Sequence, residues 1–242
     1  MKLYFASPNT RILAEAVKEQ RVLESFAIQW KYANQYRMAY RSMMLDSGAF
    51  SAHNSGKVID VDEYGEYAAA HAADYDLVIN LDDIAGNVAL SAANESRLRD
   101  VHGLDPVPVF HQGEPWAVLD EYTSRAPVVG LGFKRPLTRP AIRREWIGEC
   151  FGRVPTGHKI HGFAMTSYMG DFPFASVDST TWIRDYMDIA YGPHGQIGEL
   201  ARFLTPLEIL DLVIKKWERR PRCTTWERQK TNTNQLSLLE AM

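Results

Sequence analysis

The sequence predicts an α/β fold, a (β/α)8 TIM-like barrel formed by a single domain. Short apolar or β-branched runs alternate with longer segments of helical periodicity, which is typical of repeated βα units with a parallel sheet. The chain has 242 residues, of which 45% are hydrophobic, and this suits one large core. Doubly wound open sheets share the alternation. The barrel is favoured because polar residues and glycines follow strand after strand.

The elements follow from short apolar runs for strands and amphipathic spacing for helices. Seven strands are predicted, at Lys2–Ala6, Met43–Asp46, Leu77–Leu81, Val107–Phe110, Val128–Gly132, Lys159–Ala164 and Phe174–Val177. An eighth strand is expected near Asp188–Tyr191. Helices are predicted at about 11–26, 61–74, 87–100, 115–125, 138–151 and 205–218.

The barrel is expected to occupy residues 1–220, followed by a polar and basic C-terminal tail over 221–242.

No apolar run is long enough to cross a membrane, and the first residues lack the pattern of a signal peptide, so a cytoplasmic protein is expected. The two cysteines, Cys150 and Cys223, lie far apart and form no zinc-binding pattern. No metal or cofactor is predicted.

The net charge of −3 conceals two basic clusters, one at 134–144 and one at 215–230. A polyanion responds to the local field more than to net charge, so the first cluster is a candidate nucleic-acid surface. A solvated helix face is the alternative interpretation of either cluster. The candidate phosphate-binding residues are Lys134, Arg135 and Arg139.

Polar residues and glycines cluster where the predicted strands end. Each one alone is explained by a turn or a helix cap. In a parallel barrel these ends open onto one face, where side chains from different strands meet a ligand. The segments are Asp46-Ser47-Gly48, Asp82-Asp83, His111-Gln112-Gly113, Gly130-Leu131-Gly132, His161-Gly162 and Asp178-Ser179.

Several of these segments resemble motifs of the tRNA-guanine transglycosylases, in the order in which that family has them. Residues 45–51 are similar to its Asp-Ser-Gly-Gly-Phe-Gln motif, with alanine for the second glycine and serine for glutamine. Residues 78–83 resemble the strand that ends in its base-recognising aspartate, and 109–113 its Val-Gln-Gly-Gly segment. Residues 129–132, 161–164 and 176–182 are similar to its Gly-Gly-Leu strand end, its Met-Gly-Val-Gly strand and its Phe-Asp-Cys segment with the nucleophilic aspartate.

The chain is shorter than the tRNA-acting members and lacks their zinc subdomain of three cysteines and a histidine. It is therefore most similar to the DNA-acting 7-deazaguanine transglycosylases of phages and mobile islands. The resemblance implies replacement of guanine in DNA by a 7-deazaguanine, such as 7-cyano-7-deazaguanine. DNA and the free base are the expected partners, with an accessory protein or a homodimer left open. A tRNA substrate remains the alternative.

The resemblance also implies the roles of the site residues. Asp178 is the candidate nucleophile that forms a covalent glycosyl-enzyme, and Asp46 is the candidate general acid and base. One of Asp82 and Asp83 is expected to accept hydrogen bonds from the base, Asp82 being preferred. Further substrate contacts are predicted at Gln112, Gly130, Leu131, Ser47 and His161.

Two other functions are compatible with the sequence. His53, His111 and His161, together with the strand-end aspartates, suggest a metal-dependent barrel hydrolase, although no HxH or HExxH spacing supports it. The remaining hypothesis is an inactive barrel that only binds nucleic acid. The presence of both motif aspartates, Asp46 and Asp178, argues against it.

Overall fold

The computed structural model describes residues 1–28, 33–134, 138–192, 203–224 and 226. Its sheet has eight parallel strands in the order β4-β3-β2-β1-β8-β7-β6-β5. The strands are β1 Lys2–Ala6, β2 Arg21–Ser25, β3 Ser42–Asp46, β4 Leu77–Val78, β5 Val109–His111, β6 Val128–Gly132, β7 Lys159–Gly162 and β8 Ser176–Ser179.

The two edge strands of this sheet meet at one short contact, which we call the seam. Ile79, just after β4, forms an isolated parallel bridge with Val107, just before β5. The Val107 N–H donates to the Val78 carbonyl at 2.8 Å, and the Asn80 N–H donates to the Val107 carbonyl at 2.9 Å. The curled sheet thereby closes on itself, which confirms the predicted (β/α)8 TIM-like fold.

Helices follow the strands and cover the outside of the sheet. Among the described residues they are α1 Arg11–Ala16, α2 Ala33–Tyr36, α3 Ala49–Asn54, α4 Val61–Ala70, α5 Val88–Asp100, α6 Trp116–Arg125, α7 Pro140–Arg153, α8 Thr181–Tyr191 and α9 Pro206–Glu218. None of the described helices is both long and apolar enough to cross a membrane. The tail predicted for 221–242 lies mostly outside the described residues.

The eighth strand is not where the sequence placed it. The prediction of one helix over 11–26 was wrong for Arg21–Ser25, which form β2 between β1 and β3. Both faces of β2 are covered, so it shows no polar alternation that would mark it as a strand. The strand expected near Asp188–Tyr191 was also wrong, because these residues end α8, whose apolar side chains Trp182, Tyr186 and Ile189 recur at helical spacing.

A buried charge on β2 is satisfied by residues far away in the chain. Glu24 is 2% exposed and points outward, where it accepts a hydrogen bond of 2.7 Å from the Tyr75 hydroxyl. The Arg37 guanidinium lies 3.8 Å from the same carboxylate. This pairing explains how an acidic residue is accommodated in a buried strand.

The core has two layers because successive strand residues point to opposite faces of the sheet. The outer layer lies between the strands and the helices and contains most of the buried apolar residues. The inner layer fills the barrel and is built from residues of the strands and of the seam: Tyr4, Ala6, Leu23, Met44, Ile79, Val107 and Val109. The alternation that fills the interior also decides which residues reach the mouth of the barrel.

Candidate active site

A cavity of about 430 Å³ opens at the carboxyl ends of the strands. This volume is in the range of small-molecule sites. Apolar walls are provided by Phe50, Phe133 and Phe163, while polar groups come from the strand ends. The polar and small residues that line it include Ser25, Asp46, Asp82, His111, Gly132 and Asp178. The predicted acidic residues Asp46, Asp82 and Asp178 therefore meet in one place.

Asp46 is held by the tight turn that follows β3. Its Oδ2 accepts a hydrogen bond of 3.1 Å from the Gly48 N–H. Gly48 has φ +79°, and a Cβ there would lie 2.4 Å from Ser25 Oγ, so only glycine fits. Burial, with the nearby charges of Asp82 and Asp178, raises the pKa of Asp46 to about 7. A carboxyl group with this pKa exchanges protons readily at neutral pH.

Asp82 and His111 form a hydrogen-bonded pair across the cavity. Asp82 Oδ2 lies 2.5 Å from His111 Nε2, and both side chains are largely buried. Burial lowers the pKa of His111, but the hydrogen bond and charge of Asp82, with smaller effects of Glu114 and Asp83, outweigh it and raise the pKa. The imidazole is thus protonated more readily than a free histidine, and in the protonated form its two N–H groups are both donors.

Asp178 is fixed by the loop after β7. Its Oδ1 accepts a hydrogen bond of 3.0 Å from the Ala164 N–H, and Ala164 has φ +54°, a left-handed conformation that is uncommon for a residue with a side chain. His161 Nε2 lies 3.4 Å from the same oxygen. Among the described residues no hydrogen bond reaches Oδ2, so that oxygen is available for chemistry.

Three of the residues predicted to contact the substrate lie outside the cavity lining. Ser47 is buried, and its Oγ accepts a hydrogen bond of 3.4 Å from the Ala49 N–H. Asp83 Oδ2 accepts from the Asn87 N–H at 2.8 Å and so stabilises the loop before α5. Gln112 Oε1 accepts from the Thr138 hydroxyl at 3.4 Å. None of these three side chains lines the cavity described above.

Gly130, Leu131 and His161 also lie off the cavity wall. Leu131 is fully buried in the outer core layer. Gly130 faces the barrel interior, where a Cβ would lie 2.7 Å from the Phe163 ring. His161 is completely buried beneath Asp178, and its Nδ1 lies 2.8 Å from Ser176 Oγ.

The predicted phosphate-binding residues lie on the same face as the cavity. Lys134 is exposed and follows β6 within two residues, and Arg139 is exposed at the start of α7. Arg135 lies outside the described residues. Both described residues thus lie on the side of the barrel onto which the cavity opens.

The histidines considered as metal ligands do not come together. His53 is exposed on α3, His111 pairs with Asp82, and His161 lies under Asp178. Within the described ranges, no three His, Cys, Asp or Glu side chains have an arrangement that could hold a metal ion.

His111 and Gly132 were not predicted as substrate-binding residues, although they line the cavity. The motif at residues 109–113 favours the neighbouring Gln112 instead. The signal was available in the period of two along β5, because Val107 and Val109 face the interior and His111 continues their series. The same period continues from Val128 through Gly130 to Gly132 on β6.

Fold and cavity together define the class: a (β/α)8 barrel with an acidic candidate site at the carboxyl ends of its strands. No protein-family model matches the chain, and no curated protein matches it. Among solved structures, it is similar to the crystal structure of a "putative fructose-1,6-biphosphate aldolase" from Coccidioides immitis. The TM-score is 0.54 at 13% identity, over 89% of this chain and 87% of that chain. This likeness shows the fold alone, and the resemblance to transglycosylases stays a prediction.

Proposed function

We propose that this protein is an enzyme, a base-exchange transglycosylase that replaces guanine in DNA with a 7-deazaguanine such as 7-cyano-7-deazaguanine. The observation that carries the proposal is the convergence of Asp46, Asp82 and Asp178 on one cavity, each in a different environment. Neighbouring carboxylates whose environments give them different pKa values can take different roles in acid–base and covalent catalysis.

Asp178 is the nucleophile. Its Oδ2 attacks C1′ of the target deoxyribose, the bond from C1′ to N9 of guanine breaks, and the electron pair of that bond leaves with the base. The resulting glycosyl ester preserves the activated sugar without cutting the strand, as in retaining glycosidases. Fixing Oδ1 through the Ala164 N–H at 3.0 Å orients the carboxylate before the reaction.

Asp46 transfers the protons. Its pKa of about 7 allows it to protonate the departing guanine and then to remove the N9 proton from the incoming base. The incoming nitrogen attacks C1′, and the electron pair of the ester bond returns to Oδ2 of Asp178. The enzyme is regenerated, and no net proton is consumed.

Asp82 and His111 recognise the base. An oxygen of Asp82 accepts from a ring N–H, while the protonated His111 donates to the neighbouring carbonyl oxygen. This acceptor and donor match the amide edge that guanine and 7-deazaguanines share. Asp82 is preferred to Asp83 because Asp83 stabilises a loop.

The polymer is DNA whose target base is flipped out or presented single-stranded. Lys134 and Arg139, both exposed, are the candidates for contacts with the phosphates that flank that nucleotide. A tRNA substrate would give a distinct result in the test that follows.

The test is incubation of the purified protein with labelled 7-cyano-7-deazaguanine and duplex DNA, single-stranded DNA or unmodified tRNA. We expect label in DNA, loss of labelling in Asp178→Asn and Asp46→Asn, and nearly unchanged labelling in Asp83→Asn, the matched control beside the cavity. Asp178 should also form an adduct with DNA that survives denaturation. Label only in tRNA would overturn the choice of polymer, and no label in any polymer, with the protein folded, would overturn the proposed function.

A further inference from the structure

His161 is a completely buried imidazole directly beneath the candidate nucleophile. It lies on β7 opposite Ser176 of β8, with which it pairs in the sheet. Ser176 and Asp178 are two residues apart on β8, so both point into the barrel. The three side chains form a line, Ser176–His161–Asp178, inside the barrel and below the cavity floor.

The two contacts of the His161 ring differ: one is a hydrogen bond and the other is longer. His161 Nδ1 is 2.8 Å from Ser176 Oγ, a short hydrogen bond. His161 Nε2 is 3.4 Å from Asp178 Oδ1 and has no hydrogen-bond partner, although it is buried from water. A buried polar nitrogen without a partner is unfavourable, so such a group normally has a reason to be kept. The Asp178 carboxylate lies 3.4 Å from it and can accept a hydrogen bond from this nitrogen.

We infer that His161 is the positioning residue of the nucleophile: Ser176 fixes its tautomer, and its Nε2–H donates to Oδ1 of Asp178. This inference rests on the proposed function. When the Ser176 hydroxyl donates to Nδ1, the ring proton must lie on Nε2, facing Asp178. Oδ1 then has two donors, His161 and Ala164, and Oδ2 alone is left to attack C1′.

The contact has its largest effect in the second half of the reaction. In the glycosyl ester Oδ1 is a weakly accepting carbonyl oxygen, whereas in the released carboxylate it shares a full negative charge. A donor at Oδ1 is therefore stronger as the ester bond breaks, and it favours departure of Asp178 when the incoming base attacks. Slight tightening from 3.4 Å is all that the geometry requires.

The packing around His161 keeps the ring in this orientation. The Phe163 ring contacts it edge to face at 4.5 Å between centroids, and the Tyr4 ring does so at 6.1 Å. The cavity lining does not include His161, so it acts on the substrate only through Asp178.

The kinetic test compares two replacements that differ in the Nε2 donor. His161→Gln places an amide N–H near the position of Nε2, and His161→Leu fills similar space without a donor. We expect His161→Leu to lower kcat for base exchange by about 10–100-fold with little change in KM, and to accumulate the covalent adduct. His161→Gln should recover most of kcat, and Ser176→Ala should have an intermediate effect. Equal losses in the two His161 variants, or a change in KM alone, would overturn the inference.

A second measurement works whether or not the wild-type protein exchanges bases. Nitrogen-15 NMR of labelled histidines, with the His161 signal assigned by its absence in His161→Gln, reports the tautomer directly. We expect the Nε2–H form, a proton signal that moves in Asp178→Ala, and a changed tautomer ratio in Ser176→Ala. An Nδ1–H form, or a signal insensitive to Asp178→Ala, would reject the positioning role. Failed exchange with the expected spectrum would reject only the proposed function.

Discussion

The His111 ring occupies the space in which a side chain at Gly132 would lie. These residues are paired across β5 and β6, and a Cβ on Gly132 would be 2.6 Å from His111 Nδ1 and 2.7 Å from Cε1. No Cβ tolerates such contacts, so the ring and the methyl group cannot coexist without movement. The orientation of His111 toward Asp82 thus depends on a neighbour that has no side chain.

Gly132→Ala is therefore expected to displace His111 and weaken its bond to Asp82. Base exchange should fall by about 10–100-fold, mainly through KM for the free base, since recognition is lost while Asp178 is untouched. Stability should fall by about 1–3 kcal/mol from overpacking. The matched control is Gly152→Ala in α7, where a Cβ meets nothing within 4 Å and the better helix propensity of alanine should stabilise slightly. Equal activity in the two variants would contradict this role of Gly132.

Asp46 should make the folding stability depend on pH. Its pKa is about 7 in the folded protein and near 3.8 when unperturbed. Between these values the folded state holds a proton that the unfolded state has lost, so the stabilising contribution is complete below about pH 4 and disappears as pH rises through 7. Asp46→Asn removes this dependence. Urea denaturation should show the variant more stable than wild type by on the order of 2 kcal/mol at pH 8, with a smaller difference at pH 5. A pH-independent difference would show that Asp46 titrates normally.

Lys134 and Arg139 should contribute to DNA binding through phosphates alone. Replacing either with alanine is expected to weaken binding equally for all sequences and to reduce the slope of log K against log salt by about 1. Lys159→Ala is the control, because Lys159 is an exposed lysine at the opposite, amino end of its strand. Fluorescence anisotropy at several salt concentrations measures the slopes. The surface is assigned wrongly if Lys159→Ala changes the slope as much.

Glu95 provides a stability test that is separate from catalysis. It is 2% exposed, and its carboxylate is bound by Arg125, at 2.7 Å from Nη2 to Oε2, and by Arg99 at 3.0 Å. Arg125→Ala leaves a buried charge with one partner, so unfolding free energy should drop by about 2–4 kcal/mol. Lys215→Ala, which removes an exposed pair with Asp211, should cost about 0.5 kcal/mol or less. Both variants should retain base exchange below their unfolding temperatures.

The general fold could be predicted because strands and helices alternate along the chain with different hydrophobic periods. β2 could not be found in the same way, because its buried acidic residue Glu24 is satisfied by Arg37 and Tyr75 from distant segments. Local pattern contains no information about such partners. The apolar spacing of Leu13 and Val17 in turn made one long helix the natural reading of 11–26.

The sequence predicts those residues of the site that directly follow the ends of the strands. Asp46, Asp82 and Asp178 were identified because parallel strands bring their carboxyl ends to one face. Which member of a polar pair turns inward depends on register at single-residue precision, since a shift of one residue moves a side chain to the other face. Asp83 beside Asp82, and Gln112 beside His111, illustrate this limit.

The seam between Ile79 and Val107 gives the barrel a preferred place to open. Asp82 and His111 extend from the two sides of the seam, and their hydrogen bond links those sides above the backbone bridge. A base that binds both side chains would stabilise the closed sheet by mass action. Base binding would then be coupled to local opening of the barrel, and added base should slow amide hydrogen exchange at Asn80 and Val107 before it does so at strands remote from the cavity.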